Sequence, residues 1–216
     1  MARPSQNIDQ LLLDAGLALL PLTGCAGLSV RRLTEHAGVN LGMFHYHFKT
    51  KENFIKAVLQ RTYDEMFSAL TLRVNPAHPA LQNLRDALGV LGRFAIQNGR
   101  LLLRIMGDAI NGEPLAAGFL KANLPRHVTV IAALVQQAQQ EGSLARAPVP
   151  QVMAFMAGAV AAPILVGTAL QQQSPGADAT SAAGLVLSEQ ALAQRIEFAL
   201  RGLAPQAPLT AAKDTR

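Results

Sequence analysis

Apolar residues recur at three- and four-residue steps along most of the chain, and no stretch alternates with the two-residue period of a half-buried strand. The spacing predicts an all-α fold. Ile8, Leu11, Leu12, Ala15, Leu19 and Leu20 share one face of a helix expected over 5–22, which Gly24 ends. Ser29 is an N-cap for a second helix running to Ala37. Gly38 and Val39 make a turn, and Asn40 caps a short third helix over 41–47. Thr50 caps a fourth helix over 51–73, which Asn75-Pro76 and His78-Pro79 terminate. Further helices are expected at 80–98, 100–110, 114–141, 149–172 and 184–202. The separators are Asn98-Gly99, Asn111-Gly112-Glu113-Pro114, Gly142 to Pro150, and Ser174-Pro175-Gly176.

Two short helices joined by a tight turn and followed by a third have the layout of a helix-turn-helix DNA reader. Leu28, Val30, Leu33, Ala37, Val39, Phe44 and Phe48 supply its core, and Phe54 and Val58 continue the stripe on the fourth helix. The exposed set carries the chemistry. Ser29, and then Thr50 with Lys51, place phosphate-binding groups at helix N-termini. The fork of Arg31 suits guanine O6 and N7. The third helix presents Leu41, Gly42, Met43, His45, Tyr46 and His47, with the imidazoles and the phenol as phosphate partners and Leu41 or Met43 for a thymine methyl. Gly42 is read as a helix-interior glycine kept for close approach to DNA. Arg32 is expected to be a solvated charge, Asn40 a cap, and Lys49 a source of background positive potential.

Charge is consistent with a polyanionic partner. The net charge is +5, and residues 1–61 hold seven Lys/Arg against four Asp/Glu, a net of +3. The single cysteine, Cys25, excludes an intrachain disulfide and suits a cytoplasmic location. No metal site is expected: His45 and His47 are two apart on a helix and point to different sides. No nucleophile–base pair or phosphate loop points to an enzyme, and no cofactor is expected. Two segments imitate membrane signals. Leu22-Thr23-Gly24-Cys25 resembles a lipoprotein cleavage box, but Asp9 and Asp14 fall where a leader is basic or apolar. Residues 152–170 carry no charge, yet Pro163 interrupts them and no basic cluster flanks them. Ala154, Gly158 and Ala162 give this segment a small-residue face suited to close approach by another helix.

Taken together, Gly24, Leu28-Ser29-Val30-Arg31, Ala37-Gly38-Val39, Gly42, Phe44, His47-Phe48 and Lys51-Glu52 resemble the N-terminal domain of the tetracycline-repressor (TetR) family over about residues 12–58. His45 departs from the pattern, since the family usually places tyrosine there. The resemblance implies a helix-turn-helix domain at 1–50 and a helical ligand-binding and dimerisation domain at 51–204. In this division helix 51–73 is the strut and 205–216 a disordered tail. It further implies a ligand-responsive repressor that binds a near-palindromic operator in double-stranded DNA as a homodimer, with no membrane partner, and that a small apolar effector releases. The 149–172 and 184–202 helices would form the dimer interface. Effector contacts are expected from Phe94, Met106, Phe119, Met153 and Met156, with Arg104, Asp108 and His127 as polar handles. The alternatives are a membrane-associated or lipidated helical protein, or an activator of the same fold.

Overall fold

The computed structural model describes residues 5–173 and 181–205. Every regular element among them is helical. The order is α1 (Ser5–Gly27), α2 (Val30–Ala37), α3 (Leu41–Phe48), α4 (Lys51–Arg73), α5 (Ala80–Ile110), α6 (Pro114–Gln140) and α7 (Val149–Met156). A π-helical segment, Ala157–Ala161, leads into α8 (Ala162–Gln173), then α9 (Ala182–Val186) and α10 (Glu189–Gly202). The expected Ser174-Pro175-Gly176 break and the tail after Pro205 lie outside the described residues.

Local chemistry sets most boundaries. Ser29, Asn40 and Thr50 each accept a backbone N–H three residues on, from Arg32, Met43 and Asn53. Each satisfies one of the donors a helix start leaves free. Gly38 closes α2 at φ 66. Three expectations are corrected. First, the chain does not leave its helix at Gly24; the backbone twists there at φ 69 and helical pairing resumes to Gly27. A side chain at this position would collide with the Arg104 guanidinium. Second, Asn98-Gly99 is a kink within one helix. The Asn98 amide donates to the Phe94 carbonyl at 3.1 Å, so the turn is tethered and not broken. Third, the 184–202 helix is two helices, because the Ser188 hydroxyl accepts the Ala191 N–H and starts α10 afresh. Pro163 likewise does not stop its helix. The π-helical turn before it absorbs the ring and the missing N–H.

Two apolar cores result. The smaller gathers Leu12, Leu20, Leu33, Phe44, Phe54 and Ile55, together with Leu101 and Ile105 of α5. The larger gathers α4 to α8 and α10 around Leu70, Leu84, Val135, Ile164 and Leu192. Phe119 packs against both. Helix α4 contributes Phe54, Ile55, Val58 and Leu59 to the first core and Tyr63, Met66 and Leu70 to the second. Two helical stretches, Ile8–Gly27 and Val149–Gln173, are long and apolar enough to cross a bilayer. In the first, however, Leu12, Leu19 and Leu20 form the wall of the smaller core.

Candidate DNA-binding surface and adjoining cavity

Phe44 anchors α3. It is fully buried and meets Phe54 at 5.4 Å, while Phe48 meets Phe54 edge-on at 4.9 Å. These contacts fix α3 on α4 and turn its other face outward. Leu41, Gly42, His45 and Tyr46 are exposed there, Tyr46 to 73 %. Met43 is half-buried beside them. The Ser29 and Thr50 oxygens accept backbone N–H groups; this leaves the Ser29 hydroxyl proton for an anion, while the Thr50 hydroxyl also bonds the Glu52 carboxylate in the first turn of α4.

Four of the expected contacts are differently placed. Gly42 lies in the first turn of α3, not its interior, and a side chain there would meet only the Asn40 side-chain oxygen at 3.2 Å. His47 is half-buried, and its Nε2 is enclosed without a hydrogen-bond partner among the described residues. That edge cannot face a phosphate. Lys51 donates from Nζ to the Ala26 carbonyl at 3.0 Å, so in this state it ties α4 to the end of α1. Arg31 pairs with Glu35 at 2.9 Å. With its side chain 87 % exposed, that pair is weak and easily exchanged for a base or phosphate.

Sequence reasoning undervalued Lys49. It has the one positive φ outside glycine among the described residues, at 64 with ψ −54, and the Thr50 N–H donates across it to the Phe48 carbonyl at 2.7 Å. This is a γ-turn of the strained hand, held by the aromatic cluster on one side and the Thr50 cap on the other. It projects an exposed cation between α3 and α4.

A cavity of about 530 Å³ opens between α4, α5, α6, α7 and the π-helical segment. Phe94, Met106, Phe119, His127, Met153 and Met156 all line it. Arg104 and Asp108 do not. Asp108 accepts the Cys25 N–H at 2.8 Å and pairs with Arg104 at 3.0 Å, and Arg104 donates to the Thr23 carbonyl at 3.1 Å. They clamp the Gly24 twist of α1 onto α5. Burial, with Glu113 and Asp108 nearby, pushes the Cys25 thiol up to about 12. The cavity's polar side was only partly foreseen. Tyr63 and Asn123 join His127 there: the Tyr63 hydroxyl lies 2.7 Å from the Asn123 carbonyl oxygen and 3.1 Å from His127 Nδ1. A tyrosine inside the apolar stripe of the strut was the available signal.

Residues 12–58 match the family model described as bacterial regulatory proteins, tetR family. No curated protein sequence matches the chain significantly. Among solved structures it is similar to a tetR-family bacterial regulatory protein from Rhodococcus RHA1, at 13% identity and TM-score 0.67, covering 95% of this chain and 100% of that one. It is also similar to a ketosteroid transcriptional regulator of Mycobacterium tuberculosis, at 17% identity and TM-score 0.69, covering 92% and 95%. Residues 12–58 thus match the tetR-family model, and the chain as a whole shares the fold of these solved tetR-family and ketosteroid regulators.

Proposed function

We propose that the chain is a cytoplasmic repressor that binds a near-palindromic operator as a homodimer and is released by a small apolar effector. The observation that carries the reading is the pairing of an exposed α3 with hydroxyl-bearing caps at the starts of α2 and α4. That arrangement offers base contacts between two phosphate anchors. Occupying the operator would exclude polymerase. The reading unit is residues 1–50, and 51–204 form the effector and dimer unit with α4 as strut.

The dimer assignment rests on a second surface. Phe155, Val166, Leu170, Leu185 and Phe198 are exposed on α7 to α10, Phe198 to 67 %. Ala154, Gly158 and Ala162 lie exposed beside them, and Gly158 has open space where a side chain would stand. Large apolar groups flanking a small-residue face favour a closely approaching helix pair, as a two-fold four-helix interface provides.

Release follows from α4 and α5. Leu59, Tyr63 and Met66 of α4 line the cavity, while the same helix begins at Thr50 beside α3. On α5, Ile105 and Met106 line it, interleaved with the Arg104 and Asp108 that grip α1. A ligand that fits a different arrangement of these walls shifts both reading heads of a dimer off their half-sites. The test is selection of genomic fragments by the purified protein, sequenced after several rounds. A near-palindromic motif upstream of genes is expected. Salt-sensitive recovery without a motif would leave only non-specific DNA affinity and refute the operator reading.

A further inference from the structure

The cavity's polar valences can be followed one by one. No Lys, Arg, Asp or Glu lines it, and its polar side chains are Thr62, Tyr63, Asn123 and His127. The Thr62 hydroxyl donates to the Val58 carbonyl at 2.9 Å. Asn123 is spent at both ends. Its Nδ2 donates to Gln60 Oε1 and the Phe119 carbonyl, and its Oδ1 accepts from Gln60 Nε2 and Arg126. Arg126 does not line the cavity: it is held by Asp64 at 2.9 Å and lies over the outer Phe67 ring at 4.3 Å and over Tyr63 at 5.0 Å.

The Tyr63–His127 pair then fixes a tautomer. A main-chain carbonyl only accepts, so the Tyr63 proton goes to the Asn123 oxygen at 2.7 Å. Tyr63 has one proton, and the 3.1 Å contact to His127 Nδ1 therefore needs the hydrogen on the imidazole. Burial lowers the His127 pKa, which keeps the ring neutral. Its Nε2 is left as a lone pair with no hydrogen-bond partner among the described residues. The remaining valences of Thr62 and Tyr63 are lone pairs as well. Every donor on the lining side chains is used internally, and only acceptors remain.

We infer that the cavity takes an uncharged, mostly apolar molecule that carries a hydrogen-bond donor, of the aliphatic or alicyclic alcohol class, with His127 Nε2 accepting its hydroxyl. The inference rests on the cavity being the effector site and adds the ligand's chemistry. A ketone or ester of the same skeleton brings only acceptors to a wall of acceptors, and an anion finds no free cation.

The test is calorimetric titration of the full-length protein with a matched pair, 2-decanol and 2-decanone, with decanoate as the charged control. The alcohol is expected to bind at least about tenfold more tightly than the ketone, the scale of one net hydrogen bond against an unpaired one, and decanoate more weakly still. His127→Phe should bring the alcohol and ketone within about threefold of each other while both still bind, because the acceptor is gone and the apolar walls remain. Tyr63→Phe provides a second route. It unlocks the imidazole tautomer, lets Nε2 donate, and should narrow the ratio by strengthening the ketone. Equal wild-type affinities, a preference for the ketone, or no binding of either compound would overturn the inference. Operator affinity, measured separately by mobility shift, distinguishes the two claims. An alcohol that binds without weakening DNA affinity leaves the site chemistry intact and refutes the effector role.

Discussion

Around Phe44, Phe48 and Phe54 three rings meet at 4.9 to 5.9 Å, whereas the helices of the larger core part around about 530 Å³ of space. One end of the chain is packed to hold a shape, and the other forgoes packing that a guest can restore. The outer surfaces differ in the opposite sense. The tightly packed end shows hydroxyls, imidazole and cations, and the hollow end shows Phe155, Phe198 and Leu170. Under the proposed function, a reading head needs fixed geometry and polar contacts, while a responsive body needs a deformable interior and a partner for its apolar outside.

The contrast can be broken most forcefully at the aromatic cluster. Phe44→Ala should destabilise the reading domain by about 3–5 kcal/mol and abolish DNA binding, while leaving 2-decanol binding near wild type. Urea denaturation followed by a probe in each domain would check this; a uniform loss across both would show that they do not behave separately. Next is the clamp between them. Asp108→Ala removes the acceptor of the Cys25 N–H and the partner of Arg104, and should cost about 2 kcal/mol in thermal unfolding. A matched enlargement sharpens the comparison. Ala15→Leu in the filled core should destabilise by about 1–3 kcal/mol. Ala161→Leu, on the cavity wall, should leave stability equal or higher and weaken ligand binding about tenfold.

A smaller effect is expected from pH. The folded His127 has its pKa lowered by burial, so the unfolded chain binds its proton more readily. That penalty is absent well above the unfolded value, about 6.5, and grows as pH falls below it. Tyr63 is the titratable group recorded against this ring, its hydroxyl 3.1 Å from Nδ1. His127→Phe should therefore flatten the stability decline between about pH 6.5 and 5, and an unchanged slope would assign the decline to other groups. Smallest of all, Arg31→Ala should change stability by less than about 0.5 kcal/mol, since its pair with Glu35 is exposed, yet relax base preference in the selected operator.

What could be read from sequence follows the range of the interactions. Ser29, Asn40 and Thr50 were legible because a cap needs only three residues of context, and the starts of α2, α3 and α4 follow. Met106, Met153 and Met156 were legible as apolar but not as cavity wall, because core and cavity use the same side chains. The clamp that Arg104 and Asp108 make was not legible, because their partners Thr23 and Cys25 lie more than eighty residues away. His47 and Lys51 were read as outward from their position on a helix; the packing that turns them toward protein is tertiary.

The lone thiol has a practical consequence. With its pKa near 12 and its side chain buried, Cys25 is almost wholly protonated at neutral pH and shielded from alkylating reagents. Cysteines introduced at Tyr46 and Phe198 can then be labelled selectively in the native protein, without first removing the natural one. Distances between such labels across a dimer would report head separation and body separation independently, with and without alcohol.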